Sequence, residues 1–283
     1  MKKPVIGYLY NGRGLGRDEE LFKRVAKKKN VETIFINTDK WADSDDLREQ
    51  VKGCDIVYNS SGDDFLIEIE KTIEEFGKKM IDCSKAYYYT EDKWMFFLKC
   101  REHNIPTPKT ILLSEDIAEA KKDLEKFGFW PVVLKRIDGT MGEFVDRAET
   151  LLGAERVIRK FWKKGKERTP IIAQEFIHSP SYRVTLIGKK IVQTAMKNNK
   201  GWKATGVYAK RIKRFPVDKE LKMLTDKIMK FVDINVCGID FLKKGEDWFA
   251  LEANSAPAFD FFECEREKLA GMLVDLLKEK ARK

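Results

Sequence analysis

Histidine is nearly absent from this chain of 283 residues: there are two, His103 and His178. Chemistry built on a histidine base or a Ser-His-Asp triad has little material to draw on. The five cysteines, Cys54, Cys83, Cys100, Cys237 and Cys264, stand far apart with no CxxC pair and no nearby histidines to complete a zinc site, His103 after Cys100 being a single one. That excludes the common zinc spacings and predicts free, buried thiols. No apolar run approaches the ~20 residues of a bilayer-crossing helix. The start, MKKPVIGYLYNG, carries a short apolar stretch ending in a Gly-rich turn; it reads as a first strand rather than a cleavable signal, and a cytoplasmic protein is expected. Internal repeats and low-complexity linkers are also missing.

What is present is a globular balance, 43% hydrophobic and 36% charged residues. At roughly 150 residues per domain, the length suggests about two compact units sharing a cleft. Lys and Arg outnumber Asp and Glu by 55 to 46, a net charge of +9 that favours anionic partners. The basic clusters KRVAKKKN (23–30) and KKGKER (163–168) lack interleaved aromatics, so they read as solvated helix ends and loops, and nucleic acid is not the expected partner.

Residues 4–10 form an apolar run, followed by the turn NGRGLG and a helical stretch over 18–29. The strand-like segments ETIFINT, CDIVYNS and KKMIDC alternate with helical patterns over 44–52 and 65–76, which argues for a parallel sheet covered on both faces. Near Thr90 the pattern changes to a helix, EDKWMFFLKCREHN, stopped by the prolines of IPTPKTILL. A helix over 114–127, the strand WPVVLKRI, the loop DGTMGEF, a helix over 148–160 and the strand IIAQEFI follow, α+β in character. The last third supplies strands YRVTLIG and KIVQTAMK, a polar loop over 198–210, a helix over 218–231, strands VCGIDFL and WFALEAN, and a helix over 266–280.

Within GIDFLKKGEDWFALEANSAP, two strands joined by a polar turn carry Asp240, Glu252 and Asn254. Glu252 and Asn254 are two apart, so a strand points both to one face, where Asp240 on the partner strand can join them. Three oxygens of this kind suit Mg²⁺. An ordinary hairpin with polar residues turned outward fits the same pattern. Lys135 ends an apolar strand just before a loop holding Gly139 and Gly142, whose backbone N–H groups can lie on phosphate oxygens; a surface lysine before a turn looks the same. IIAQEFI mixes apolar walls with Gln174 and Glu175, as an adenine site requires. Arg183 opens the next strand and is either an anion holder or a surface residue. NGRGLG resembles a dinucleotide fingerprint with Asp39 beyond it, but its spacing is G-x-G-x-G and Arg17 stands where the third glycine belongs, so NAD is not expected. A substrate-gripping loop using Arg13 or Arg17 and a plain tight turn both remain open.

The joint order of Lys93, Lys135 with its Gly loop, Gln174-Glu175, Arg183 and the Asp240, Glu252, Asn254 set resembles the ATP-grasp superfamily, and within it the RimK-like and LysX-like ligases. The resemblance runs from about residue 81 to 276, with LEANSAP after GIDFL its most specific part. It implies an α/β fold, α+β in the ATP-binding lobes, with an N-terminal Rossmann-like pre-ATP-grasp domain (1–88), a central lobe (89–178) and a C-terminal lobe with the metal site (179–283). Lys93 and Lys135 would contact ATP phosphates, and Gly139, Thr140, Met141 and Gly142 would cover them. Gln174, Glu175, Phe176 and Ile177 would line the adenine. Asp240, Glu252 and Asn254 would hold two Mg²⁺, with Mn²⁺ as a substitute. Arg183, Lys135 and Lys203 would be catalytic.

The chain also departs from that pattern. Ser181 stands where an Asp commonly meets the ribose, Lys203 and Thr205 where an Arg and an Asn are usual, and Ala258 where a glycine follows the final proline. The implied activity is ATP-dependent joining of a carboxylate to an amine through an acyl phosphate, attaching an amino acid to a small acid, peptide or carrier. One substrate is expected to be acidic and the protein a homodimer or homotetramer. A kinase of the same fold acting on an anionic small molecule is the alternative. An ATP sensor would have little need for an intact Asp, Glu and Asn set.

Overall fold

The computed structural model describes residues 3–39, 44–60, 66–139, 142–164, 169–198, 201–203 and 211–282. Thr140, Met141 and Thr205 lie outside them. The chain opens with β1 (Val5–Tyr10), α1 (Arg17–Lys28), β2 (Glu32–Asn37), α2 (Ser44–Lys52), β3 (Ile56–Asn59), α3 (Leu66–Glu75) and β4 (Met80–Ile81). The strands pair in parallel in the order β2-β1-β3-β4. Their apolar runs have no polar phase because both faces are covered. Ile6, Tyr8, Ile56 and Tyr58 enter one core, while Leu9 and Val57 enter another with Leu47, Val51, Ile69 and Ile73 of α2 and α3. Gly7 is needed between them, since a Cβ there would lie 2.9 Å from the Cys54 sulfur.

A short α4 (Tyr87–Thr90) leads to α5 (Lys93–Glu102), β5 (Thr110–Leu112), α6 (Ile117–Phe127), β6 (Val132–Arg136), β7 (Val145–Ala148), α7 (Leu151–Lys164) and β8 (Ile171–Glu175). These strands form an antiparallel sheet in the order β5-β8-β6-β7. Asp92 and Asp116 cap α5 and α6, each accepting two backbone N–H bonds of the first turn. The helix expected over 148–160 begins later, at Leu151, because the residues before it pair with β6.

The third sheet comprises β9 (Ser181–Ile187), β10 (Lys190–Asn198), β11 (Arg211–Lys213), β12 (Val236–Lys244) and β13 (Asp247–Ser255), in the order β11-β10-β9-β12-β13. Helix α8 (Lys219–Val232) covers it, and α9 (Arg266–Lys280) follows. Two helices pack away from their sequence neighbours. Phe96 and Cys100 of α5 are buried with Val184, Leu186 and Ile239 of the third sheet. On α9, Leu273, Val274 and Leu277 are buried with Phe22, Val25 and Ala26 of α1 beneath the first sheet. A strictly sequential division at 88 and 178 therefore does not describe the packing of these two helices. Asp82 ties the units together: its carboxylate accepts from the Asn235 N–H at 2.6 Å, the Asn235 amide at 2.7 Å and the Val236 N–H at 2.9 Å.

Cys54, Cys100 and Cys237 are buried free thiols as expected, but Cys83, in an irregular segment, and Cys264, in a single 3-10 turn over Glu263–Glu265, are exposed outside the cores. Among the described residues no helix is long and apolar enough to cross a membrane.

Candidate active site

A cleft of about 1800 Å³ lies between the second and third sheets and extends to Ser60, Lys85 and Tyr87 beside the first. One wall is the β12–β13 hairpin. Asp240 sits directly across from Glu252 in the antiparallel register, and Asn254 follows two residues on. On the other side Asp240 pairs with Arg183 of β9, which pairs with Ala195 of β10, two residues before Lys197. Period-two alternation thus sets Lys197, Arg183, Asp240 and Glu252 on one face of four adjacent strands.

Asp240 is 3% exposed. Its Oδ1 accepts from Arg183 Nε at 2.7 Å and Lys197 Nζ at 3.0 Å, and its Oδ2 from Arg183 Nη2 at 2.6 Å. Burial alone would raise this carboxyl, but the two cations hold it well below the usual carboxylate range. Burial opposes the charge on Arg183, and Asp240 more than compensates, raising the guanidinium. Asn254 donates its amide to the Gly238 carbonyl at 3.1 Å, which leaves the side-chain oxygen for a cation. Among the described residues no three His, Cys, Asp or Glu side chains gather into a metal cluster. Two carboxylates and one amide oxygen nonetheless fit Mg²⁺, which takes few protein ligands and fills its octahedron with phosphate and water.

The opposite wall carries Lys135, 8% exposed, at the end of β6. Its ammonium donates to Gln174 Oε1 at 2.7 Å, and the Gln174 amide donates to Thr110 at 2.9 Å. Burial pushes Lys135 down to about 8, partly offset by Glu252 and Asp240, which line the same cleft. Lys93, the first residue of α5, donates to the Gly139 carbonyl at 2.9 Å, so the cap set by Asp92 anchors the helix to the glycine loop. Gly139 has φ of +103°, a conformation that side chains rarely adopt.

The segment expected to line the adenine borders the cleft, yet its side chains have other duties. Gln174 positions Lys135, and Glu175 is paired with Lys244 at 2.9 Å. That leaves backbone groups, with Phe176 and Ile177, to face a base. Phe176 lies under the Arg147 guanidinium at 4.8 Å. Ser181 is buried at the cleft, and Lys203 borders it with its ammonium 5.5 Å from the Trp202 ring.

The NGRGLG loop does not border the cleft. The Gly12 N–H donates to Asp39 at 2.6 Å, Arg17 pairs with Glu263 at 2.6 Å, and Asp18 pairs with Arg266. Arg17 and Asp18, which open α1 after the loop, dock the segment leading into α9, so Arg17 is engaged away from the cleft and not as a substrate grip. Sequence reasoning missed Lys197. Its signal was the alternation of β10, whose inward phase reads Gln193, Ala195, Lys197.

A basic glycine-loop wall facing an acidic hairpin across two antiparallel lobes is the architecture of ATP-grasp enzymes, which use Mg-ATP to join a carboxylate to an amine. Residues 90–277 match the family model of the RimK-like ATP-grasp domain, and the chain belongs to that family; it is an ATP-dependent ligase forming C–N bonds. It is similar to a probable alpha-L-glutamate ligase of Coxiella burnetii, 27% identical over 225 residues that cover 76% of this chain and 72% of that protein. The corresponding protein of Shewanella loihica is 28% identical over the same shares. Among solved structures, the RimK domain ATP-grasp protein from Sphaerobacter thermophilus superposes with a TM-score of 0.75 at 15% identity, covering 95% of this chain and 98% of that one. D-alanine-D-alanine ligase from Bacillus anthracis gives 0.75 at 14% identity, with 99% and 97% covered.

Proposed function

We propose that the chain attaches an acidic amino acid, glutamate foremost, through its amino group to the carboxylate of a small acid, peptide or carrier. The observation that carries this reading is the cross-strand Asp240 and Glu252 pair lining the same cleft as buried Lys135, with Arg183 beside Asp240 on the hairpin's side. The net charge of +9 and the names of the similar glutamate ligases support an acidic substrate.

Lys93 and Lys135 hold the phosphates of ATP under Gly139 and Gly142, and the backbone of 174–177 meets the adenine beside Ser181. Asp240, Glu252 and Asn254 hold two Mg²⁺, which when bound neutralise phosphate oxygens. Lys135, Arg183 and Lys203 offset charge as the γ-phosphorus leaves the β–γ bridging oxygen and bonds to the substrate carboxylate. The amine nitrogen then bonds to the acyl carbon, phosphate departs, and the amine loses its proton. Acyl phosphates hydrolyse readily, so the loop over 138–144 serves best as a lid that excludes water. The first unit supplies the wall for the acid at Ser60, Lys85 and Tyr87. The working unit is a cytoplasmic homodimer or homotetramer.

The test is ADP and phosphate release from Mg-ATP with amino acids paired with acids and acidic peptides, products read by mass spectrometry. A mass equal to acid plus glutamate minus water, absent with Glu252→Gln, is expected. A phosphoryl group found on a hydroxyl would overturn the ligation, and a neutral amino acid as the preferred amine would overturn the acidic substrate.

A further inference from the structure

Lys197 is 2% exposed near the end of β10, and the anion it pairs with is Asp240. A buried ammonium is costly unless matched, and here two cations share one carboxylate. Asp240 has roughly four lone-pair positions, and N–H groups of Arg183 and Lys197 already take three of them. A divalent cation arriving at Asp240 meets both a shortage of free lone pairs and two positive charges beside it. The two are not equally held. Arg183 grips both oxygens with a planar fork and is the register neighbour of Asp240, so its geometry is fixed by the sheet. Lys197 makes one longer bond, at 3.0 Å, from a flexible stem that borders the cleft.

Resting on the reading of Asp240 as a metal ligand, we propose that Lys197 is a positioning residue that exchanges counter-ions: it holds Asp240 until a metal ion arrives, then turns its ammonium to an anionic oxygen in the cleft. Two consequences follow from linkage. Lys197 weakens binding of the metal by itself, and it makes metal and anion bind cooperatively, each favouring the other by the same factor. The site then assembles preferentially when nucleotide or acid phosphate oxygens are present, which limits idle metal loading.

The test is a Mn²⁺ titration of the full chain, followed by the electron paramagnetic resonance of unbound Mn²⁺, with Mn²⁺ alone and with inorganic phosphate added. Lys197→Met should bind Mn²⁺ alone roughly fivefold more tightly than the native chain, the order expected for removing one neighbouring charge near water. Lys197→Arg should stay near native. Phosphate should tighten Mn²⁺ binding by a larger factor in the native chain than in Lys197→Met. A purely structural lysine predicts the opposite, weaker binding once it is removed, so equal or weaker Mn²⁺ affinity in a folded variant overturns the proposal. Lys197→Gln, which can still accept or donate to neighbours, carries the same comparison if the Met variant does not fold. Native binding that Glu252→Gln leaves unchanged would overturn the metal assignment itself and this inference with it. The ligation products are read separately, so the activity can stand while this proposal fails.

Discussion

Removing a charge from a crowded buried cluster costs more than the cluster contributes, because the partners are left behind in low dielectric. Asp240→Asn would strand the Arg183 and Lys197 cations away from water. We expect a loss of about 3–5 kcal/mol in urea unfolding together with the loss of ligation. Glu70 presents the reverse situation. It is 0% exposed, its Oε1 accepts from the Tyr87 hydroxyl at 2.9 Å, and its Oε2 has no hydrogen-bond partner among the described residues. Burial pushes its carboxyl up to about 8, above its ordinary value of 4.5. The folded chain keeps a proton that the unfolded chain releases, so stability is fullest below 4.5 and falls as pH rises to about 8. Glu70→Gln removes that decline. The difference in melting temperature between the variant and the native chain should therefore widen from pH 5 to pH 8, and a constant difference would show that Glu70 is ionised in the fold.

At the scale of elements, α5 links the cap at Asp92 to Lys93 next to it, which the proposed function sets on the phosphates. Asp92→Ala should cost about 1 kcal/mol of stability. Because Lys93 bonds to Gly139 from the same helix turn, the KM for ATP should rise more than kcat falls. What could be read in advance follows the same logic of local against distant causes. The β12–β13 hairpin was legible because its alternation and its turn are local, and the resulting register puts Asp240 opposite Glu252. Strand β7 was not, since VDRA has no apolar run of its own and is a strand because β6 pairs with it. Lys197 escaped notice because a lysine in a strand is ordinary until three neighbouring strands show which way it faces. The side-chain partners of Gln174 could not be read in advance, because its amide spans from Thr110 to Lys135, two residues far away in the chain.

In the whole molecule, the units meet through the core that α9 shares with the first sheet, through ion pairs and through buried Asp82. Asp82 accepts three hydrogen bonds from Asn235 and Val236. Asp82→Ala would leave these N–H groups buried without partners, and amide hydrogen exchange should speed up at β4 and at the start of β12 before it does in the third-sheet core. Leu273 is 3% exposed in the core that α9 shares with α1 and the first sheet. Leu273→Ala should cost about 2–5 kcal/mol, and the loss should appear as early unfolding of the first sheet although the mutation lies in the last third of the chain.

The placement of α9 also governs the order in which the protein can mature. The Lys29–Asp275 ion pair joins groups 246 positions apart. On the ribosome β1 to β4 emerge first, but the helix that shields one of their faces is translated long afterwards. Until it arrives, the core that Ile6, Phe22 and Val25 share with Leu273, Val274 and Leu277 is incomplete. Long-range closure of this kind slows folding, so the first sheet to be synthesised is the last to be sealed.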